Sequence, residues 1–185
     1  NKAISKFKDC KYLEIGVAAS NKVFNSIPLK MSDKFGVDPE NGGNLRMTSD
    51  EFFKKHSDLK FDVIFIDGLH HYDQCQRDCL NAMRQLNKNG IIFLHDMLPR
   101  CELEQTTPQN YHTWSGDVWK VAVELNNSKN VNFKICNIDR GIGILKLSED
   151  YEYKKMPELF SMKFENYLNF KEKFKIINSE EALDF

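Results

Sequence analysis

Several acids and histidines of this chain sit where a short apolar run ends, and those positions are where chemistry is expected. Asp38 closes the run at 35–38, Asp67 the run at 61–67, and His95-Asp96 the run at 91–94; His70 and His71 come three and four residues after Asp67. A carboxylate at a strand end can accept the two hydroxyls of a ribose. Asp38 stands 24 residues after Glu14, where such an acid belongs, although an Asp before Pro39 is also a turn former. A neutral imidazole takes up a proton near neutral pH, so His70, with His71 as the competing choice, is a candidate general base. The first apolar run leads into Glu14-Ile-Gly-Val-Ala-Ala-Ser20, which holds a single glycine, Gly16. A dinucleotide site wants G-x-G-x-x-G so that backbone amides can approach a pyrophosphate, which argues against NAD and FAD. S-adenosylmethionine (SAM) carries no phosphate and needs only one close backbone approach plus carboxylates.

These residues need a scaffold that brings strand ends together. Runs at 11–17, 35–38, 61–67 and 91–94 read as buried strands, the third being the clearest because it is near-continuously apolar and β-branched. A further short strand is expected at 46–48. Between the strands come a weak helix over 21–30 that ends near Pro28, a helix over 49–56 opened by a Thr48–Glu51 capping box, and an amphipathic helix over 72–86 terminated by Asn89-Gly90. This alternation implies an α/β fold, a Rossmann-like doubly wound sheet that is mostly parallel. Its ligand site lies beyond the carboxyl ends of the strands. Residues 97–116 show no periodicity and are long enough to suggest a lid that orders over an acceptor. Arg100, Tyr111, His112 and Trp114 are candidates to line an acceptor pocket there. A helix over 117–125 follows, with Asp117 as its N-cap and Trp119 as a core anchor. Strands at 131–136 and 141–147 form a closing antiparallel edge. The sequence thus divides into a domain over 1–147 and a C-terminal helical tail over 148–185, whose spacing of Phe160, Phe164 and Tyr167 is helical and which packs on the domain or on a partner subunit of a homo-oligomer.

Composition narrows the classes. Among 185 residues, 26 Lys and Arg stand against 27 Asp and Glu, so no global field draws the chain to nucleic acid or to an anionic membrane. No apolar run approaches the ~20 residues of a membrane helix. The five cysteines are odd in number and scattered, which predicts free thiols in a reducing cytoplasm. The chain begins Asn-Lys-Ala rather than with Met, as an excised domain would.

Over about residues 11–147 the sequence resembles the class I SAM-dependent methyltransferases, through Y-L-E-I-G-V at the first motif, F-G-V-D-P at the second strand, F-D-V-I-F-I-D-G-L-H-H-Y at the fourth, and L-N-K-N-G-I-I-F-L-H-D at the fifth. Within that class, M-T-S-D-E-F-F with I-D-G-L-H and L-H-D is similar to a subgroup of metal-dependent sugar O-methyltransferases. The resemblance implies SAM contacts from Glu14 and Gly16 on the methionine side, Asp38 on the ribose, and Met47, Thr48 and Ser49 on the adenine side, with Asp67 also close to the cofactor. It implies further that Asp67, His95 and Asp96 converge on Mg²⁺ or Mn²⁺, with His70, in a D-x-x-H spacing, as the base beside it. Where that subgroup has two consecutive oxygen ligands on the fifth strand, this chain has His95 first, which favours a softer metal. The alternative is that Asp67 holds the SAM amino group and Asp96 caps a turn with no metal. The implied function is methyl transfer to a hydroxyl of a sugar or other small polar acceptor. Its rivals are a non-catalytic SAM-binding module and a metal-dependent hydrolase built from Asp67, His70, His95 and Asp96.

Overall fold

The computed structural model describes residues 2–185. The apolar runs become short buried strands, β1 (Tyr12–Ile15), β2 (Lys34–Val37), β3 (Phe61–Ile66) and β4 (Leu86–Leu94), and they alternate with α1 (Lys22–Ser26), α2 (Ser49–Lys55) and α3 (Tyr72–Gln85). Then come α4 (Glu102–Gln105), α5 (Trp119–Asn127), β5 (Lys129–Cys136), β6 (Ile142–Glu152), α6 (Phe164–Lys171), β7 (Ile176–Ile177) and α7 (Ser179–Leu183). The strands are hydrogen-bonded in the order β2-β1-β3-β4-β6-β5-β7. β1 runs parallel to β2 and β3, β5 antiparallel to β6, and β7 parallel to β5. This is the expected Rossmann-like α/β fold, a mixed sheet with an antiparallel pair toward its C-terminal side; the two-residue β7 adds a parallel strand outside that pair.

Two compact units make up the chain: one runs to Leu69 and resumes over Arg77–Phe93, the other comprises His70–Gln76 and Leu94–Phe185. In the first, β1 is buried at every position, and Leu13, Phe52, Phe61 and Ile64 have no exposed surface. Each such side chain contributes roughly 1.5–3 kcal/mol of burial. A satellite core of Ile4, Cys10, Tyr12, Val17, Phe24, Ile27 and Val63 packs beside it. α1 stops at Ser26, with Ile27 extended, because the residue before Pro28 is excluded from the helical region. α2 opens on the expected capping box: Thr48 Oγ1 accepts from Glu51 N at 3.2 Å, and Glu51 Oε2 accepts from Thr48 N at 2.8 Å. The strand expected at 46–48 is absent. Only Leu45 bridges to Val37, while the Arg46 side chain turns back to the Asp38 carbonyl and Thr48 serves as the cap. β4 starts earlier than expected, at Leu86, with Asn89 in the left-handed region.

In the second unit Trp119 is the expected core anchor, fully buried, its ring centroid 5.2 Å from that of Tyr167 in α6. Residues 97–116 are not the unpatterned loop the sequence suggests. They carry α4 and turn Met97, Leu98, Glu104, Gln105 and Ser115 into the interior. Asp117 does not cap α5, which starts two residues later. The tail departs from a purely helical reading: β6 continues to Glu152, and Phe160 lies in a 3-10 turn (Pro157–Ser161), 71% exposed, while Tyr167 is buried. All five cysteines are free thiols. No helix among the described residues is long and apolar enough to cross a membrane.

Candidate functional site

In the first unit the ends of β1, β2 and β3 are knitted through backbone. Gly16 N donates to Val37 O at 2.9 Å and Asp67 N to Ile15 O at 2.8 Å. Gly16 has φ +84°, and a Cβ there would stand 2.0 Å from the Asp67 carbonyl oxygen. Only glycine fits, so the single glycine noted in the sequence is required by the crossing of two strand ends.

Asp38 folds into the turn its neighbours suggest. Its Oδ1 accepts from Glu40 N at 2.9 Å and Asn41 N at 2.6 Å, and Arg46 Nη1 approaches the same oxygen at 3.6 Å. Both turn bonds fall on Oδ1, so Oδ2 retains its capacity to accept hydroxyls. Thr48 has its hydroxyl engaged by Glu51, while Met47 and Ser49 are half-buried beside it. Glu14 is 3% exposed and accepts a 2.6 Å hydrogen bond from the Tyr12 hydroxyl. Burial pushes its carboxyl up to about 7; the Tyr12 bond and Lys34 oppose the rise and the Asp67 charge adds to it. Burial also raises Tyr12, together with the Glu14 charge.

In the second unit Asp96 sits at the centre of a charged group. It is 1% exposed with φ +62°, and its Oδ1 accepts from Arg140 Nε at 2.8 Å. Burial is the largest single influence on Arg140 and acts to lower its pKa, but the bond to Asp96 and the charges of Asp96, Asp139 and Glu104 together hold the guanidinium above its usual range. His70 Nδ1 and His95 Nδ1 lie 3.4 and 3.2 Å from Asp96 Oδ2. Neither is aligned as a hydrogen bond, and Oδ2 is a buried oxygen without a hydrogen-bond partner among the described residues. His70 Nδ1 points instead to the Trp114 carbonyl at 3.1 Å, and its ring tilts on the Trp114 indole at 5.2 Å. An imidazole that donates from Nδ1 carries its lone pair on Nε2, the form a general base needs. His95 Nε2 lies 3.2 Å from Asp139 Oδ2, so both of its nitrogens face carboxylates.

Residues 30–97, less than half of the chain, match the family model described as a methyltransferase domain. The match supports a methyltransferase. SAM is the usual cofactor of such a domain, and the matched segment carries Asp38, Met47, Thr48, Ser49, Asp67, His70, His95 and Asp96. No curated protein matches the chain significantly. The match does not extend to a subgroup, an acceptor or a metal.

As to a cation, His95 Nδ1 and Asp96 Oδ2, both in the second unit, lie 3.2 Å apart. The mixed oxygen and nitrogen donors and the unpartnered Asp96 Oδ2 fit a divalent metal of the Mn²⁺ kind. Arg140 on Oδ1 restricts Asp96 to a single ligand oxygen.

The candidates of the 97–116 segment are spent on internal bonds. Arg100 Nε and Nη2 both reach Glu104 Oε1; burial acts most strongly on Glu104 and raises its pKa, but the Arg100 side-chain and backbone bonds, the Arg100 charge and the Thr113 hydroxyl together lower it. Trp114 Nε1 donates to the Thr106 carbonyl at 2.7 Å, and the Tyr111 and His112 rings stack on each other at 4.3 Å. Sequence reasoning missed Arg140, Asp139 and Glu104. Asp139 and Arg140 lie 44 residues from His95 and Asp96, and no local pattern marks them.

Proposed function

We propose that the chain is a SAM-dependent methyltransferase that methylates a hydroxyl of a sugar or another small polar acceptor. The observation that carries this reading is the family match over 30–97, the segment that holds the acid after β2 and the acids and histidines after β3 and β4. In the proposed reaction the acceptor oxygen attacks the methyl carbon in line, the C–S bond breaks as the C–O bond forms, and the sulfonium leaves as a neutral thioether. The protein's work is orientation and removal of the acceptor proton. His70 takes that proton at Nε2, while the Trp114 carbonyl holds Nδ1 in the donor role. Asp38 accepts the ribose hydroxyls through Oδ2, and Gly16 lets the backbone come close to the methionine end. His95 and Asp96 would hold a divalent cation, which when bound lowers the pKa of the acceptor hydroxyl.

A second reading, the same transfer without metal, draws on the Arg140–Asp96 ion pair and on His95 set between two carboxylates. Calorimetric titration with S-adenosylhomocysteine, with and without Mn²⁺, separates the readings. Binding is expected in the wild type, weakened by about 1–3 kcal/mol in Asp38→Ala; no binding at all overturns the methyltransferase reading. Once an acceptor is found, His70→Ala should slow transfer by roughly 10²–10⁴-fold with S-adenosylhomocysteine affinity retained. Full activity in chelator would leave the metal-free form standing.

A further inference from the structure

A cavity of about 420 Å³ in the second unit lies between the start of α3, the 102–107 segment, the start of α5 and the 160–163 stretch of the tail. None of Arg100, Tyr111, His112 and Trp114 lines it. Its wall contains a buried ion pair: Lys120, with a side chain 5% exposed, donates from Nζ to Asp117 Oδ2 at 2.8 Å and to the Phe160 carbonyl at 3.3 Å. An ammonium has three N–H donors, and these bonds use two. Asp117 is itself fixed, because its Oδ1 accepts from Tyr72 N at 2.7 Å. The pair is therefore held in a set geometry at the cavity wall, without the reorganisation that surface charges need.

The rest of the lining defines the ligand. Thr106, Thr107 and Ser161 add hydroxyls. The charges nearly cancel, with Lys120 and Lys163 facing Asp73, Glu102 and Asp117, so the cavity has no positive excess for a phosphate-rich ligand and no strong negative excess for a polyamine. Phe160 is 71% exposed although it lines the cavity, its ring 6.5 Å from that of Tyr72. An aromatic face left open beside fixed polar groups suits a molecule with one apolar face and a polar edge.

We propose that this cavity binds a neutral polyhydroxylated ring, a monosaccharide or cyclitol, with its hydroxyls on Lys120 and Asp117 and its C–H face on Phe160. Binding is read from the cavity alone; that the ring is also the methyl acceptor rests on the methyltransferase reading. Saturation-transfer NMR and calorimetry on the whole chain, with D-glucose, N-acetylglucosamine and myo-inositol against glucuronic acid and spermidine, test it. At least one neutral ring should bind, and Phe160→Ala, at an exposed position, should weaken it about 10-fold with an unchanged melting curve. Asp117→Asn should weaken it as well. Failure of every neutral ring, equal binding by Phe160→Ala, or preference for a charged probe overturns the inference. S-adenosylhomocysteine is titrated into the same samples. Its failure to bind overturns the methyltransferase reading alone, whereas loss of ring binding with S-adenosylhomocysteine bound overturns the cavity alone.

Discussion

Glu14 in β1 and Glu124 in α5 are carboxylates with almost no exposed surface, one in each compact unit. Glu14 has one side-chain donor, the Tyr12 hydroxyl, and burial pushes its pKa to about 7. Glu124 is surrounded by donors: Tyr72 Oη at 2.9 Å, Gln76 Nε2 at 2.8 Å to both oxygens, the Met156 amide at 2.7 Å, and the Tyr153 hydroxyl. Desolvation alone favours the neutral acid, and hydrogen-bond donors offset that cost. The difference separates a carboxyl raised by burial from a clamp. Glu124 ties α3, α5 and the segment after β6 together.

The comparison breaks most readily at the clamp. Glu124→Gln turns an amide N–H₂ toward groups that donate, and it should cost on the order of 4 kcal/mol in urea unfolding, with Tyr153→Phe costing about a third as much. An unchanged midpoint in Glu124→Gln would mean that its donors find other partners.

Glu14 offers the next effect, and its sign follows from linkage. Its folded pKa lies above the ordinary 4.5, so its contribution is fully present at pH 4.5 and below and is lost as pH rises toward about 7. Wild-type stability should fall by about 3 kcal/mol across that window, while Glu14→Gln should stay flat and be the more stable protein at pH 8. Parallel pH profiles for the two proteins would show that Glu14 does not titrate in the folded state.

The smallest effect comes from a wholly local device. Thr48→Ala removes the α2 cap and should cost about 1 kcal/mol, measured by thermal or urea unfolding. That value calibrates what a contact between near neighbours is worth beside the two long-range networks.

Sequence separation also explains what could be read beforehand. Strands β1 and β3, the α2 capping box, α3 and the Trp119 anchor come from runs, spacings and residue types within a dozen positions. The Asp38 turn is one of two readings that position alone allows, and Oδ1 makes that turn. The misplaced features depend on distant partners. A β-pattern reads Arg46 as strand because its attraction to Asp38 is invisible in such a pattern. Residues 97–116 read as structureless because α4 has only four residues, too few to show a period, and buried Glu104 also takes a bond from Thr113 nine positions on. At the candidate site, the acids and histidines were legible as strand-end residues, but the approach of Arg140 to Asp96 across 44 positions was not.

Gly116 has φ +61°, and a Cβ there would lie 1.6 Å from the His70 carbonyl oxygen. The proposed base is thus held from behind by a residue whose only qualification is its lack of a side chain. In a directed-evolution library randomised at 116, every residue but glycine would have to push the His70 backbone aside, so an activity screen would return glycine alone. A search for acceptors of the proposed reaction can therefore treat position 116 as closed.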